Sequence, residues 1–456
     1  MRLLLVILFL LSAVQLKSQS VVIQGQVAGF NGKKLKVLAV SNYLTNEKET
    51  LAETTIEKEK FRLELELSST KQLLIKIEDK VSSFFAESGE VYNLTLAYDA
   101  DKNQGKAYNK LLDLKLAFPK PQELNQKIKS FNRAYQTFFT EHYEKFVVNA
   151  AQEAINEFIS KMNTEAKYQS PKFMADYATY ALANLEDINR VSNQTLFEKY
   201  LKGKEVLHHH KEYMNFFSQF YQKDFGQFCI TKNGAELLKL IMFEKDMGKS
   251  LALIQAEKGF QQIELAELYF INGLLEVYHD KVIEPESNLA MLQQLSKKAS
   301  SQENKNAAVS VIEHLEAFAQ NKAAPTFSLY NSKDELVNLS DYKGKHLYLG
   351  FWADWSIPSL KDLKIMQKLE EKYGEKVQFV SINLDEEKSF YKKVKAENTY
   401  NWPFLHYGND YELREKYEVK AVPSYYLIDP DGKMIKAFAP GPADVERMLY
   451  QINRQP

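Results

Sequence analysis

Between Phe61 and Leu67 the chain alternates strictly: Phe61, Leu63, Leu65 and Leu67 are apolar, and Arg62, Glu64 and Glu66 between them are charged. A period of two sends the two sets to opposite faces of an extended chain, so this segment predicts a strand with one buried face. Short apolar runs at 21–27, 35–40, 73–77 and 91–96 predict further strands. Gly29-Phe30-Asn31-Gly32 and Glu87-Ser88-Gly89-Glu90 read as turns between them. This spacing predicts a small antiparallel, β-sandwich-like domain over residues 21–100.

From about residue 105 the period changes. Tyr213, Phe216, Phe217, Phe220 and Tyr221 recur at i, i+3, i+4, i+7 and i+8, one face of a helix. Leu265, Leu268, Ile271 and Leu275 repeat the arrangement, and Phe173, Tyr177 and Ala181 are similar. Several helices packed on these stripes predict an α-helical middle domain over residues 101–320. The aromatic stripes are read as core rather than as a ligand groove.

Ala323-Ala324-Pro325 reads as a short linker, after which strand and helix alternate. Strands are predicted at 327–329, 336–339, 346–351, 377–382, 425–428 and 434–438. Helices are predicted over 358–373, through Phe390 and Val394, and from about Pro442. Alternation of this kind predicts an α/β layer fold over residues 323–456, and the whole chain is multidomain α+β.

At 456 residues the chain is long enough for two or three cores. The net charge of −1 offers no basic field for nucleic acid. Arg2, the apolar run 3–11 and small residues at Ser18 and Ser20 predict a cleavable export signal over residues 1–20, hence a periplasmic or cell-envelope protein. No later apolar run is long enough for a transmembrane span. Cys229 is the only cysteine, so an internal disulfide is excluded, and its aromatic neighbours Phe225 and Phe228 predict a buried, inert thiol. His208-His209-His210 is read as a solvated helix entry rather than a metal site, because adjacent helical residues point apart. Glu370-Glu371-Lys372 and Asp385-Glu386-Glu387-Lys388 are read as solvated helix faces. No phosphate-cradling loop, dinucleotide fingerprint or zinc signature is present, so neither a metal nor a cofactor is expected.

The chemistry-bearing stretch is Phe351-Trp352-Ala353-Asp354-Trp355-Ser356-Ile357-Pro358-Ser359, placed between a predicted strand and a predicted helix. Together with two other segments it resembles the thioredoxin superfamily, most closely envelope thiol–disulfide oxidoreductases of the TlpA/ResA type. One of these is Pro325 with Leu339-Ser340-Asp341-Tyr342-Lys343-Gly344-Lys345. The other is Tyr417-Glu418-Val419-Lys420-Ala421-Val422-Pro423-Ser424, followed by Leu427-Ile428-Asp429 and Gly432. The resemblance covers roughly residues 323–456. It implies a Trp-Cys-x-x-Cys loop, a cis-proline at Pro423 facing it, and a backbone beside Pro423 that pairs with an extended substrate peptide.

Ser356 and Ser359 stand where the resemblance implies both cysteines. A thiolate is the nucleophile in disulfide exchange, and a serine hydroxyl forms no mixed disulfide. Ile357 replaces a small residue, Leu360 a basic one, Lys364 a helix-kinking proline and Gly350 a polar residue. Ser356 keeps a structural use as a helix N-cap. The sequence therefore predicts no catalytic residue. It predicts instead a degenerate loop and peptide-docking surface of Trp355, Ser356, Ile357, Pro358, Ser359, Val422 and Pro423, which binds an envelope protein or an extended peptide. Three alternatives remain at this point. The cleft is that of a hydroxyl-dependent transferase or isomerase, the chain keeps an oxidoreductase role through a partner, or the helical middle holds the ligand. A serine hydrolase would need His346 or His406 as base, and no triad spacing is evident.

Overall fold

The computed structural model describes residues 18–100, 102, 110–117, 122–147, 151–278, 280, 282–317, 319, 321–385, 400–408 and 410–454. The apolar run of the expected signal and the helix expected through Phe390 and Val394 lie outside these residues.

Eight strands open the fold: β1 (Gln19–Val27), β2 (Lys34–Asn42), β3 (Glu47–Thr55), β4 (Lys60–Leu67), β5 (Lys71–Ile77), β6 (Lys80–Ala86), β7 (Val91–Tyr98) and β8 (Lys110–Ala117). The alternation in β4 is realised: Phe61, Leu63, Leu65 and Leu67 are buried, and the charged residues between them are exposed. The strands join in one sheet of order β3-β2-β5-β6-β8-β7-β1-β4, whose edge strands β3 and β4 approach each other. The expected all-antiparallel sandwich is corrected here, because β1 with β7 and β6 with β8 pair in parallel. β8 also lies where a helical pattern was expected, and it bonds to both β6 and β7.

Helices dominate from Leu124 to Ala317. Tyr213, Phe216, Phe217, Tyr221, Leu265, Leu268 and Ile271 all enter one large core, together with Cys229. Burial pushes the Cys229 thiol up to about 12, which makes it inert. The histidine run is not a solvated entry. His210 is buried and its Nδ1 accepts from the Tyr213 backbone N–H at 3.5 Å, capping the helix Lys211–Phe220. The His208 side chain lies against Glu264 at 3.1 Å. Only His209 is exposed. Among the described residues no group of three or more His, Cys, Asp or Glu side chains is arranged to hold a metal ion.

A second sheet runs β10-β9-β13-β12-β11-β14-β15 through β9 (Ser328–Asn331), β10 (Leu336–Asn338), β11 (His346–Trp352), β12 (Val377–Asn383), β13 (Phe404–His406), β14 (Ser424–Ile428) and β15 (Met434–Lys436). Central β11 is buried on both faces, with parallel β12 on one side and antiparallel β14 on the other. Leu347, Leu349 and Phe351 fill one side of the sheet. Tyr348 and Trp352 fill the other, against Leu363, Met366, Leu369 and Tyr373 of the helix Ile357–Tyr373. The segment read as a linker is pinned: Ala324 N–H bonds the Gly432 carbonyl at 2.9 Å and Met434 N–H bonds the Lys322 carbonyl at 2.7 Å.

The three parts touch. Asn42 Nδ2 donates to the Ala307 carbonyl at 3.3 Å, Lys76 pairs with Glu415 at 2.5 Å, and His314 meets Glu418 at 3.3 Å. These contacts set the helical part and the first sheet beside the loop that leads to Pro423.

Candidate functional site

β11 delivers Ala353-Asp354-Trp355 to one end of the sheet, and Ser356 caps the helix that follows. Ser356 Oγ accepts from the Ser359 backbone N–H at 3.4 Å, and the Ser356 carbonyl accepts from Leu360 N–H at 3.1 Å. Such a cap stabilises a helix by about 0.5–2 kcal/mol. Pro358 sits in the first turn, where its missing N–H costs nothing. From the other side, β14 pairs Ser424 with Phe351, which brings the preceding Val422–Pro423 loop over Ser356. The Ser356 hydroxyl donates to the Val422 carbonyl at 3.3 Å, and the Val422–Pro423 peptide bond is cis. The structure thus brings Ser356, Ser359, Val422 and Pro423 together.

Exposure divides the loop. Ser356 is 5% exposed and Ser359 fully buried, whereas Trp355 and Ile357 stand 53% and 67% exposed. Pro358 is exposed as well. Among the described residues the Ser359 hydroxyl has no hydrogen-bond partner. Ser356 donates to one backbone group and accepts from another, and among the described residues no side chain bonds its hydroxyl.

Neither histidine supplies a base. His406 Nε2 donates to the Asp385 carbonyl at 2.7 Å, and its Nδ1 accepts from Gly408 N–H at 2.9 Å. Those two bonds fix a neutral imidazole whose lone pair is occupied. His346 begins β11, six residues and about 20 Å from the loop end of that strand. The hydrolase arrangement is therefore absent from these residues.

Sequence reasoning missed the carboxyl pair behind the loop. Asp385 was read as part of a solvated face, but it is only 4% exposed. Its carboxyl accepts from Asp354 N–H at 3.0 Å and from Asn383 Nδ2 at 2.5 Å. Burial chiefly, with the neighbouring Asp354 carboxylate, raises Asp385 from 3.8 to about 7. The folded protein then holds this proton more tightly than the unfolded chain. The resulting stability is full below about pH 4 and declines as pH rises through 7. Urea midpoints read by tryptophan fluorescence are expected to fall between pH 5 and pH 8, by up to ~3 kcal/mol in stability. Trp352, Trp355 and Trp402 are the only tryptophans, so the signal reports this part of the chain. Asp385→Asn is expected to flatten the profile; an unchanged pH dependence in that variant would refute the assignment.

Gly350 also has a local cause. A Cβ there would lie 2.8 Å from Tyr425 Cε1. That ring is stacked on Tyr348 at 5.2 Å and its hydroxyl donates to Asp362 at 2.8 Å, so it occupies the space a side chain would need. A cavity of about 660 Å³ opens at the junction of the three parts, lined by Lys36, Lys76, His314, Arg414 and Glu418 and reaching Lys420 beside the Pro423 loop.

A family model described as the AhpC/TSA family matches residues 320–437. The thioredoxin-like protein YneN of Bacillus subtilis is 32% identical over 114 residues, which are 25% of this chain and 67% of YneN. The thiol–disulfide oxidoreductase ResA of Oceanobacillus iheyensis is 32% identical over 136 residues, 29% of this chain and 70% of its own. The chain belongs to the ResA-type thioredoxin-like family. Membership rests on the C-terminal domain, which is thioredoxin-like. A solved thiol–disulfide oxidoreductase from Bacteroides fragilis aligns at 25% identity over 28% of this chain and 99% of its own, with a TM-score of 0.27.

Proposed function

We propose that this is an exported, redox-inactive member of the family, acting as a binding or scaffold protein of the periplasm or cell envelope. Its docking surface is the loop of Trp355, Ser356, Ile357, Pro358 and Ser359 with Val422 and Pro423, and its partner is an extended peptide segment or an envelope protein. The division into a signal at 1–20, a β-rich part, a helical part and a docking domain from 323 belongs to the same reading.

The observation that carries it is the state of the Ser356 hydroxyl. By resemblance it stands where exchange chemistry needs a thiolate, both its hydrogen bonds go to backbone, and among the described residues no side-chain base bonds it. Exposed Trp355 and Ile357 beside the Pro423 loop supply apolar area of the kind that anchors peptides. Among the described residues no helix is long and apolar enough to cross a membrane.

Panning a displayed random-peptide library against the full chain, with Trp355→Ala as the counter-selected protein, tests the reading. Enrichment of sequences that bind wild type and lose at least about tenfold in affinity on Trp355→Ala is the expected result. Failure to enrich any Trp355-dependent peptide would contradict it.

A further inference from the structure

The helix that follows the docking loop presents one unusual face. Ile357, Lys361, Lys364 and Lys368 recur at intervals of four, three and four residues, so they form a single stripe along the helix. All four are exposed, while Ser359, Leu363, Met366, Leu369 and Tyr373 turn to the core. Lys361, Lys364 and Lys368 form no ion pair with any described residue, in a chain whose lysines are paired in many places. One turn further on, Lys372 is neutralised by Glu446 at 2.6 Å. The acidic residue inside the basic stretch, Asp362, turns away to accept from the Tyr425 hydroxyl. The chain as a whole is nearly neutral, with 59 basic and 60 acidic residues, so this positive stripe is local.

We infer that this stripe, headed by Trp355 and Ile357, docks an acidic peptide segment that carries an apolar anchor. The inference rests on the docking reading above and names the chemistry of its partner. An apolar side chain seats on Trp355 and Ile357, and carboxylates then follow the lysines. From Ile357 to Lys368 the stripe runs about 16 Å, the length of roughly five residues of extended chain. The ordering of charge gives the partner a direction as well as a composition: anchor at the loop end, acids toward the C-terminal end of the helix. Complementarity of this kind adds selectivity and association rate more than affinity.

The test uses the full chain and a fluorescein-labelled peptide with a Trp-Leu pair followed by glutamates at alternate positions. Its counterpart carries glutamine at the same places. The glutamate peptide is expected to bind about tenfold tighter than the glutamine one, and to lose that margin between 50 and 500 mM salt. The triple variant Lys361→Glu/Lys364→Glu/Lys368→Glu, folded by its tryptophan spectrum, is expected to abolish the margin. Trp355→Ala is expected to weaken both peptides. Equal affinity for the two peptides, with Trp355 still required, would overturn the inference and leave the docking reading intact. Loss of all Trp355 dependence would sink the docking reading itself. Lysine-dependent sedimentation with phosphatidylglycerol vesicles, without peptide binding, would overturn the inference in favour of a membrane surface.

Discussion

Ser356→Cys/Ser359→Cys is expected to form an intramolecular disulfide and to reduce insulin in the presence of dithiothreitol at least about 100-fold faster than the parent protein. The geometry is in place. Residues 356 and 359 occupy the cap and first turn of one helix, where Cα atoms three apart lie about 5 Å from each other, inside the range a disulfide needs. The helix N-terminus and its amides favour a thiolate at 356. Cys229 does not interfere, because its thiol is buried and pushed up to about 12. Trapping free thiols with maleimide after mild oxidation gives the readout. Two persistently free thiols at 356 and 359 would show that Ile357 and the loop have reshaped the site.

Gly350→Asp, which places a polar side chain before Phe351, is expected to destabilise the C-terminal domain by ~3 kcal/mol or more. A Cβ at 350 meets Tyr425 Cε1 at 2.8 Å and Cδ1 at 3.1 Å. Tyr425 cannot yield cheaply, since Tyr348 stacks against it and Asp362 holds its hydroxyl. The added carboxyl would also be buried on the central strand without a partner. Urea unfolding followed by tryptophan fluorescence measures the loss, with Gly350→Ala expected to fall between the two. A midpoint for Gly350→Asp equal to that of the parent would contradict this packing account.

Legibility from sequence followed the strength of the periodic signal. β4 announces itself because its alternation is strict and one face is buried, and β11 because a central strand is apolar throughout. β3 was invisible: as an edge strand of Glu47-Lys48-Glu49-Thr50-Leu51 character it buries no residue, so no pattern marks it. β8 carries Leu111, Leu112, Leu114 and Leu116 in a short run that suits helix or strand, and only its pairing to β6 and β7 decides. β13 spans three residues, too few for any period. At the site, Ser356, Ser359, Val422 and Pro423 were findable because motif spacing marks them. Asp385 was not, because a charged run looks solvated until Asn383 and the Asp354 amide are seen to enclose its first member. The residue Ile357 was legible as a departure, but its exposure beside Trp355, and the lysine stripe behind it, required the helix to be placed.

Oxygen in place of sulfur at 356 and 359 is the claim on which the proposed function stands. The most direct measurement is dithiol turnover by the full chain carrying Cys229→Ser, which contains no thiol. Insulin precipitation in dithiothreitol at the rate of buffer alone is the expected result, and turnover clearly above buffer would contradict the account.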